Sequence, residues 1–357
     1  MVQEPTPGAL VLLNALGSPL MHNCPLSLMQ RDLNVNSDPT SWADQIARAR
    51  ERLGAHLTKT PLVESEFLSR KLGRPVLLKL ESMQPVGAFK IRAALNSILA
   101  HIDECRSAGV VTNSSGNFAQ AVAYAATRLG VESTIVMMRG ASAFKRGRTE
   151  AFGGNIVLCE DSFEARFAAT ERIRTESGRR LVHPYNSAET IAGNATLGVE
   201  LLEQIDQEFD LYVPISGGGL IAGTTLAVKA GRPGCRVFGV QARANPSMKL
   251  SLEAGRPVRT KPAPSLADAL TVLEPGSRTF PVVQEHVESV DLVSEEDMAA
   301  AVRLLAVEQK LVVEPGAAVS VAAALSATRE RDRPVVCVLS GGNIAPETLR
   351  AVLTDEH

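Results

Sequence analysis

Short apolar segments alternate with helical patterns along most of the chain, and no other feature of the sequence constrains the fold as strongly. The apolar segments predict strands over residues 76–80, 109–112, 133–138, 155–159, 211–215, 236–240, 288–293 and 334–339. Apolar residues at helical spacing predict helices over residues 41–53, 91–99, 117–129, 143–152, 163–174, 190–205, 220–230, 295–308 and 317–328. Short strands separated by helices form parallel sheets that helices cover on both faces. The sequence therefore predicts an α/β fold.

Length and composition bound the architecture. The chain has 357 residues, of which 45% are hydrophobic and 21% are charged, as in ordinary soluble globular proteins. This length exceeds one typical domain and suits two lobes that share an interface. Residues 1–40, which are rich in Pro, Asn and Ser, are expected to form a loose arm. Residues 241–281, rich in Pro, Gly and Ser, are expected to form an irregular covering segment.

Charge and cysteine usage restrict the partners and the location. A net charge of −2 gives no electrostatic reason to bind nucleic acid or an anionic membrane surface. No apolar run reaches the roughly 18 residues that span a bilayer, and residues 9–16 resemble a signal peptide without its positive charge. Free thiols in a reducing compartment are predicted by five cysteines without CxxC spacing: Cys24, Cys105, Cys159, Cys235 and Cys337. We therefore expect a cytoplasmic protein with a small-molecule partner.

Lys90 lies where the apolar strand at residues 76–80 gives way, through a short loop, to a helical pattern. A lysine at the end of a buried strand is partly desolvated, which lowers its pKa and makes it an amine nucleophile towards an aldehyde. This is the chemistry of a Schiff-base lysine. The alternative is a solvated surface lysine in the first turn of a helix.

Three predicted strands end in polar loops that contain glycine, where open sheets place their ligand sites. Residues 112–117 (TNSSGN) offer hydroxyl and N–H groups for a carboxylate, or an ordinary helix N-cap. Residues 214–220 (PISGGGL) suit one phosphate group better than a nucleotide, because the spacing is neither GxGxxG nor a P-loop; the alternative is a tight turn. In residues 338–343 (VLSGGN), Ser340 can meet a cofactor heteroatom or cap the next helix.

Together, an amine nucleophile, a carboxylate loop, a phosphate loop and a serine for a ring nitrogen describe pyridoxal phosphate bound to an amino acid. The chain resembles the fold-type II pyridoxal-phosphate enzymes, specifically the threonine/serine dehydratase and serine racemase family. The resemblance runs from about residue 57 to residue 349. It is carried by residues 84–90 with Arg92 and Asn96, residues 114–117 and 119–121, residues 183–185, residues 191–193 with Thr196 and Gly198, the loop at Gly217, and residues 314–317 and 340–343.

The resemblance implies a fold like that of the tryptophan synthase β chain, with two parallel-sheet lobes and helices on both faces. Residues 41–103 and 186–357 would form a large cofactor-binding domain, and residues 104–185 a small mobile domain. A homodimer is the expectation for this family.

The resemblance also assigns roles to individual residues. Lys90 binds pyridoxal 5′-phosphate covalently and then removes the substrate Cα proton, while Ser115 can reprotonate Cα from the opposite face. The remaining cofactor contacts are Phe89 against the ring, Asn117 at the phenolic oxygen, Ser340 at the ring nitrogen, and Ser216, Gly217, Gly218, Gly219 and Leu220 around the phosphate. The substrate carboxylate is assigned to Ser114, Ser115, Gly116 and Asn117.

The activity that the resemblance implies is that of an ammonia-lyase, which converts a β-hydroxy amino acid such as L-threonine or L-serine to a 2-oxo acid and ammonia. A racemase or a β-replacement enzyme of a specialised pathway is the enzymatic alternative. A non-catalytic relative is a third possibility, against which the retained Lys90 argues.

Several positions depart from the family pattern. Phe118 stands in place of a usual His, Ser216 replaces the first glycine of a four-glycine loop, and Ala269 stands where a glycine is usual. At the positions of the family's divalent-cation ligands the chain has Gln241 and, approximately, Ser247. Because both hard anionic ligands are missing, we predict no metal site.

Overall fold

Six strands form the larger of two sheets in the computed structural model, which describes residues 41–330 and 332–354. The predicted arm over residues 1–40 lies outside the described residues. The described residues form ten strands: β1 Leu62–Glu64, β2 Val76–Leu80, β3 Val110–Asn113, β4 Ser133–Met138, β5 Asn155–Cys159, β6 Arg180–Leu181, β7 Asp210–Pro214, β8 Arg236–Ala242, β9 Ser289–Val293 and β10 Val335–Leu339.

The two sheets divide the chain by sequence. The larger has the order β1-β2-β10-β7-β8-β9, in which only the edge strand β1 runs antiparallel to its neighbour. The smaller has the order β5-β4-β3-β6 and is parallel throughout. The predicted α/β class with two parallel-sheet lobes is confirmed. The exact division into domains at residues 104 and 185 stays a prediction.

Helices cover both sheets and connect the parallel strands, as such strands require. They are α1 Trp42–Gly54, α2 Glu66–Leu72, α3 Lys90–Leu99, α4 Ile102–Ala108, α5 Asn117–Leu129, α6 Ala143–Ala151, α7 Phe163–Ser177, α8 Ala188–Gln204, α9 Gly219–Gly231, α10 Ser247–Ala254, α11 Thr279–His286, α12 Glu295–Glu308, α13 Pro315–Ser326 and α14 Pro346–Thr354. Among the described residues, no helix is long and apolar enough to cross a membrane.

The prediction of a wholly irregular segment over residues 241–281 is wrong. This segment contains α10, a 3-10 turn at Asp268–Leu270 and the start of α11. Helix α10 lacks a continuous apolar stripe because two serines are fully buried on it. Ser247 Oγ donates to Val272 O at 2.9 Å, and Ser251 Oγ donates to Ser247 O at 2.6 Å. The hydroxyls thus take the place of the apolar contacts that helical periodicity detects.

A buried ion-pair network fixes the turn that leads into α3. Arg92 donates through Nε and Nη2 to both oxygens of Glu81 at 2.8 Å, and through Nη1 to Glu200 at 2.8 Å. Lys79 Nζ lies 2.5 Å from the other oxygen of Glu200. Arg92 and Glu81 flank Lys90 in sequence, and their side chains are 1% and 0% exposed. Each buried charge therefore has a partner, and the end of β2 is joined to the first turn of α3.

Replacing Arg92 by Ala should lower the free energy of unfolding by about 3–5 kcal/mol, because the carboxylate of Glu81 would remain buried without the cation that pairs with it. Urea unfolding measures this loss. Arg70→Ala is the control: Arg70 pairs with Glu66 on the exposed face of α2, where an ion pair contributes little. Equal, small losses in the two variants would contradict a structural role for the network.

Candidate active site

The carboxyl ends of strands from both sheets open into one cavity of about 850 Å³. The loop after β3 belongs to the smaller sheet, whereas the loops after β7 and β10 belong to the larger sheet. Every residue predicted to bind cofactor or substrate lies on the wall of this cavity: Phe89, Lys90, Ser114, Ser115, Gly116, Asn117, Ser216, Gly217, Gly218, Gly219, Leu220 and Ser340. The structure therefore brings all the predicted site residues together.

Lys90 is the first residue of α3, and its amine lies in the cavity. Its Nζ donates to Pro184 O at 3.1 Å and lies 4.9 Å and 5.5 Å from the ring centroids of Phe89 and Phe118. Burial lowers the pKa of Lys90 from 10.5 to about 8, and the carboxyl of Glu314 opposes that shift. The alternative of a solvated surface lysine is wrong, because the amine lies inside the cavity, beside two aromatic rings and a backbone carbonyl.

Backbone contacts hold the Lys90 turn against the loop after β10. Phe89 N donates to Ser340 O at 3.0 Å, and Gly342 N donates to Gly87 O at 2.8 Å. The hydroxyl of Ser340 forms no hydrogen bond with the described part of the chain and faces the cavity. Because α14 begins only at Pro346, the alternative in which Ser340 caps that helix is wrong.

The glycine loop after β7 has the geometry of an anion site. Gly217 O accepts from Thr279 Oγ1 at 2.7 Å and from Gly276 N at 3.2 Å. Within the described structure, the N–H groups of Gly217 and Gly218 donate no backbone hydrogen bond. Gly218 has a φ of +94° and precedes α9, so the loop places free donors at the positive end of a helix. A phosphate group fits these donors.

Two side-chain contacts, from Ser216 and from Tyr185, stabilise the glycine loop after β7. Ser216 Oγ accepts from Val272 N at 3.3 Å, which connects the loop to the covering segment. The ring of Tyr185 packs directly on Gly217, where an added Cβ atom would lie 2.4 Å from ring carbons. The serine that departs from the family pattern therefore stabilises the loop with its side chain, while its neighbour remains too crowded for any side chain.

The loop after β3 offers polar groups that its own helix does not use. Gly116 is the N-cap of α5, and no side chain caps this helix, so the N-cap alternative for these hydroxyls is wrong. Ser114 Oγ accepts from Gly116 N at 3.3 Å. Ser115 Oγ is buried and has no hydrogen-bond partner within the described residues. A buried hydroxyl normally has a partner, so Ser115 Oγ is suited to a ligand of the cavity.

Ionisable side chains that received no role from the sequence also line the cavity. Lys145 Nζ on α6 lies 2.5 Å from Asp268 Oδ2. The guanidinium of Arg166 on α7 has no carboxylate partner in the described regions, and burial lowers its pKa. Lys145 and Arg166 belong to no motif, so no sequence signal could have found them.

Two further residues belong to motifs that carry the resemblance. Burial raises the pKa of Glu314 from 4.5 to about 7, opposed by Lys145 and Lys90. Burial lowers the pKa of His183 from 6.5 to about 4. The Nδ1 atom of His183 accepts from Asn186 N at 2.9 Å, so this imidazole is neutral and carries its proton on Nε2.

The amide of Gln241 occupies the position that the family resemblance gives to an anionic cation ligand. Its Oε1 accepts from Lys249 N at 3.0 Å, and its Nε2 donates to Asn245 O at 3.3 Å and lies 3.5 Å from Ser247 Oγ. Within residues 41–330 and 332–354, no three His, Cys, Asp or Glu side chains are grouped as metal ligands. The residues present do not fit a divalent cation, because a hard cation requires several oxygen ligands.

Comparison with known proteins identifies the family of this chain. A family model described as pyridoxal-phosphate dependent enzyme matches residues 53–341. The chain belongs to this family. An L-threonine ammonia-lyase of Geobacter sulfurreducens is 39% identical over 309 residues, which cover 86% of this chain and 77% of that protein.

Two other relatives carry different names. An L-threo-3-hydroxyaspartate ammonia-lyase of Saccharomyces cerevisiae is 37% identical over 83% of this chain and 91% of that protein. The structure of maize serine racemase superposes with a TM-score of 0.84 at 36% identity and covers 88% of this chain and 97% of that one. The fold-type II resemblance is thereby confirmed, and the relatives differ in the reaction they are named for.

The pyridoxal-phosphate dependent enzyme should show an unusually reactive Lys90 before its cofactor binds. Because only the neutral amine attacks an aldehyde, the rate at which apoprotein reacts with pyridoxal 5′-phosphate should rise with pH and reach its midpoint near 8 instead of 10.5. Stopped-flow absorbance at different pH values measures this midpoint. Lys90→Ala should form no visible band, and a wild-type midpoint near 10.5 would contradict the desolvation of Lys90.

Divalent cations should not affect the stability of the wild-type protein. Millimolar Ca²⁺ or Mg²⁺ and excess EDTA should give the same melting temperature, because Gln241 and Ser247 supply neutral groups. The double variant Gln241→Glu with Ser247→Asp is the positive control, and it should melt at a lower temperature in EDTA and recover with Ca²⁺. A specific rise in the melting temperature or activity of the wild-type protein would show that a cation site exists.

Proposed function

We propose that this pyridoxal-phosphate dependent enzyme is an ammonia-lyase that converts a β-hydroxy amino acid, with L-threonine or L-serine as first candidates, to a 2-oxo acid and ammonia. The observation that supports this most is that the amine of Lys90 lies in the same cavity as two loops with available hydrogen-bonding groups. These are the glycine loop at residues 216–220 and the hydroxyl loop at residues 114–117. The curated relatives named L-threonine ammonia-lyase support the same reaction.

The residues present fit the cofactor. Gly217, Gly218 and the first turn of α9 would hold its phosphate, Phe89 would contact its ring, and Ser340 would meet its nitrogen. When bound to Lys90, pyridoxal phosphate supplies an electron sink that stabilises negative charge at the substrate Cα. A serine hydroxyl at the ring nitrogen does not hold this nitrogen protonated as a carboxylate would, and this favours elimination over transamination.

The protein's own groups then perform three tasks. The N–H and hydroxyl groups of residues 114–117 bind the substrate carboxylate at the positive end of α5. Lys90 Nζ accepts the Cα proton, for which a pKa of about 8 is well placed at neutral pH. The rings of Phe89 and Phe118 lie 4.9 and 5.5 Å from the amine and help to keep its pKa low while the amine is free to take the proton.

Racemisation is a second candidate reaction, and one observation favours it. Ser115 Oγ is buried without a partner in the described structure, so it is available to deliver a proton to Cα. A hydroxyl on one face of the substrate and the Lys90 amine on the other are the two groups that a racemase needs. The likeness to maize serine racemase supports this candidate.

The substrate side chain is a separate question, to which Arg166 is relevant. Its guanidinium lines the cavity and meets no carboxylate among the described residues. A second carboxylate on the substrate would pair with it. We therefore include L-threo-3-hydroxyaspartate among the candidate substrates, in agreement with the name of the yeast relative.

We also propose a homodimer in the cytoplasm. The dimer follows from the family resemblance, and sedimentation of the purified holoenzyme tests it. The cytoplasmic location is supported by Cys105, Cys159, Cys235 and Cys337, which are all buried free thiols, as is usual in reducing compartments.

Purified holoenzyme should release 2-oxobutyrate from L-threonine or pyruvate from L-serine, each with ammonia. Coupled assays of both products, with L-threo-3-hydroxyaspartate in the same panel, rank the substrates. Lys90→Ala should abolish turnover and the visible cofactor band, because the amine both binds the cofactor and takes the proton. Survival of the band in this variant, or absence of product with every substrate, would contradict the proposal.

The racemase candidate is tested in the same preparation by chiral analysis of the remaining serine. Ser115→Ala should reduce D-serine formation more than ammonia release, since only racemisation needs the second proton donor. Ser133→Ala is a matched control, because Ser133 Oγ is also buried without a partner but lies on β4 outside the cavity wall. Equal losses of both products in Ser115→Ala would exclude the separate role of Ser115.

A further inference from the structure

The side-chain amide of Asn117 is held by two contacts that use opposite ends of the group. Its Nδ2 donates to Glu314 Oε1 at 2.6 Å, and its Oδ1 accepts from Asn343 Nδ2 at 2.9 Å. An asparagine amide has two N–H donors and one carbonyl acceptor. One N–H of Asn117 therefore remains for a ligand of the cavity, whose wall includes this residue.

The orientation of both amides follows from a backbone carbonyl. Asn343 donates to Val86 O at 2.9 Å, and a carbonyl oxygen can only accept, so the atom of Asn343 in this contact is the nitrogen. The second hydrogen of the same nitrogen points at Asn117, so the atom of Asn117 that accepts it is the carbonyl oxygen Oδ1. The nitrogen of Asn117 then faces Glu314, whose carboxylate can accept. Reversing Asn117 would place its oxygen against the carboxylate and its N–H group against another donor.

The backbone leaves room for these contacts at two glycines. A Cβ atom on Gly341 would lie 2.3 Å from Glu314 Oε1 and 3.2 Å from Asn117 Nδ2, and a Cβ atom on Gly87 would lie 2.7 Å from Asn343 Oδ1. Glu314 is the N-cap of α13 but does not cap it with its side chain, and its N–H donates to Gly341 O at 3.1 Å. Glu314 is thus directed at Asn117 and not at its own helix.

We propose that Glu314 and Asn343 are positioning residues that lock the amide of Asn117 in one orientation, so that its remaining N–H is presented to the phenolic oxygen of the cofactor. This inference rests on the cofactor role of Asn117 in the proposed function. A freely flipping amide would present its carbonyl oxygen to the phenolic oxygen for part of the time, and two acceptors repel each other. Both residues therefore act on the bound cofactor through Asn117.

The test is titration of apoprotein with pyridoxal 5′-phosphate, followed by the visible absorbance band, at a pH well above the pKa of Lys90, so that its amine is neutral with or without the Glu314 carboxylate. Asn117→Ala, Glu314→Ala and Asn343→Ala should each raise the half-saturating concentration about tenfold, which is the effect of one lost hydrogen bond to a charged group, and should shift the band in the same direction. The double variant Asn117→Ala with Glu314→Ala should match Asn117→Ala alone, because at a pH where Lys90 is already neutral Glu314 affects cofactor binding only through this amide.

Two further variants test whether Glu314 acts by orienting the amide of Asn117 and not through its negative charge or its effect on folding. Glu314→Gln keeps an acceptor oxygen for Asn117 Nδ2, so it should bind the cofactor nearly as the wild type does. Gly341→Ala retains Asn117, Glu314 and Asn343, but its methyl group would displace the Glu314 carboxylate from Asn117. It should therefore behave as Glu314→Ala does. Both should fold, as judged by the melting temperature of the apoprotein.

Asn245→Ala is the matched control. Asn245 is a buried asparagine with two hydrogen bonds to Ala263, and it lies outside the cavity wall. Its loss should lower the melting temperature and leave the cofactor band unchanged. Additive losses in the double variant, a Glu314→Gln variant as weak as Glu314→Ala, or a wild-type band in Glu314→Ala would each overturn the proposal. Because the readout is cofactor binding, a failure of the proposed ammonia-lyase activity would not affect this test.

Discussion

The ion pair between Arg92 and Glu81 is the interaction on which the position of Lys90 depends. Two fully buried charges cannot separate without a large loss of free energy, so the end of β2 and the first turn of α3 are held at a fixed distance. Lys90 lies between these two residues in sequence. Its backbone therefore has little freedom, and its amine can be directed into an apolar environment where an unrestrained lysine would move towards water.

The parallel sheets explain why the two ligand-binding loops and Ser340 lie in the same cavity as the Lys90 amine. The carboxyl ends of parallel strands lie at one edge of a sheet, and the following helices begin there with free N–H groups. The smaller sheet contributes the hydroxyl loop at residues 114–117, and the larger sheet contributes the glycine loop at residues 216–220 and Ser340. The site between the two sheets therefore has donors for two anionic groups and an amine between them, which suits a phosphorylated aldehyde cofactor and an amino acid.

Desolvation sets the acid–base properties of the cavity. It lowers the pKa of Lys90 to about 8 and raises the pKa of Glu314 to about 7, while each of these groups partly opposes the shift of the other. An amine and a carboxyl that both titrate near neutrality are suited to proton transfer. The ion pair of Lys145 with Asp268 lies close enough to influence the pKa of Glu314, so the charge at the cavity wall comes from helices and turns that are far apart in the chain.

The sequence by itself determined the α/β class, most strands and helices, the three polar loops and the cofactor family, because each of these depends on residues that are close together in the chain. Short helices such as α2 and α4 and the serine-lined α10 were missed, since their apolar patterns are too brief or are replaced by hydroxyl contacts. Only the tertiary structure decided the pairing of Lys145 with Asp268 and of Asn117 with Glu314. These partners are 123 and 197 positions apart, and no local pattern can encode which distant side chains share a desolvated cavity.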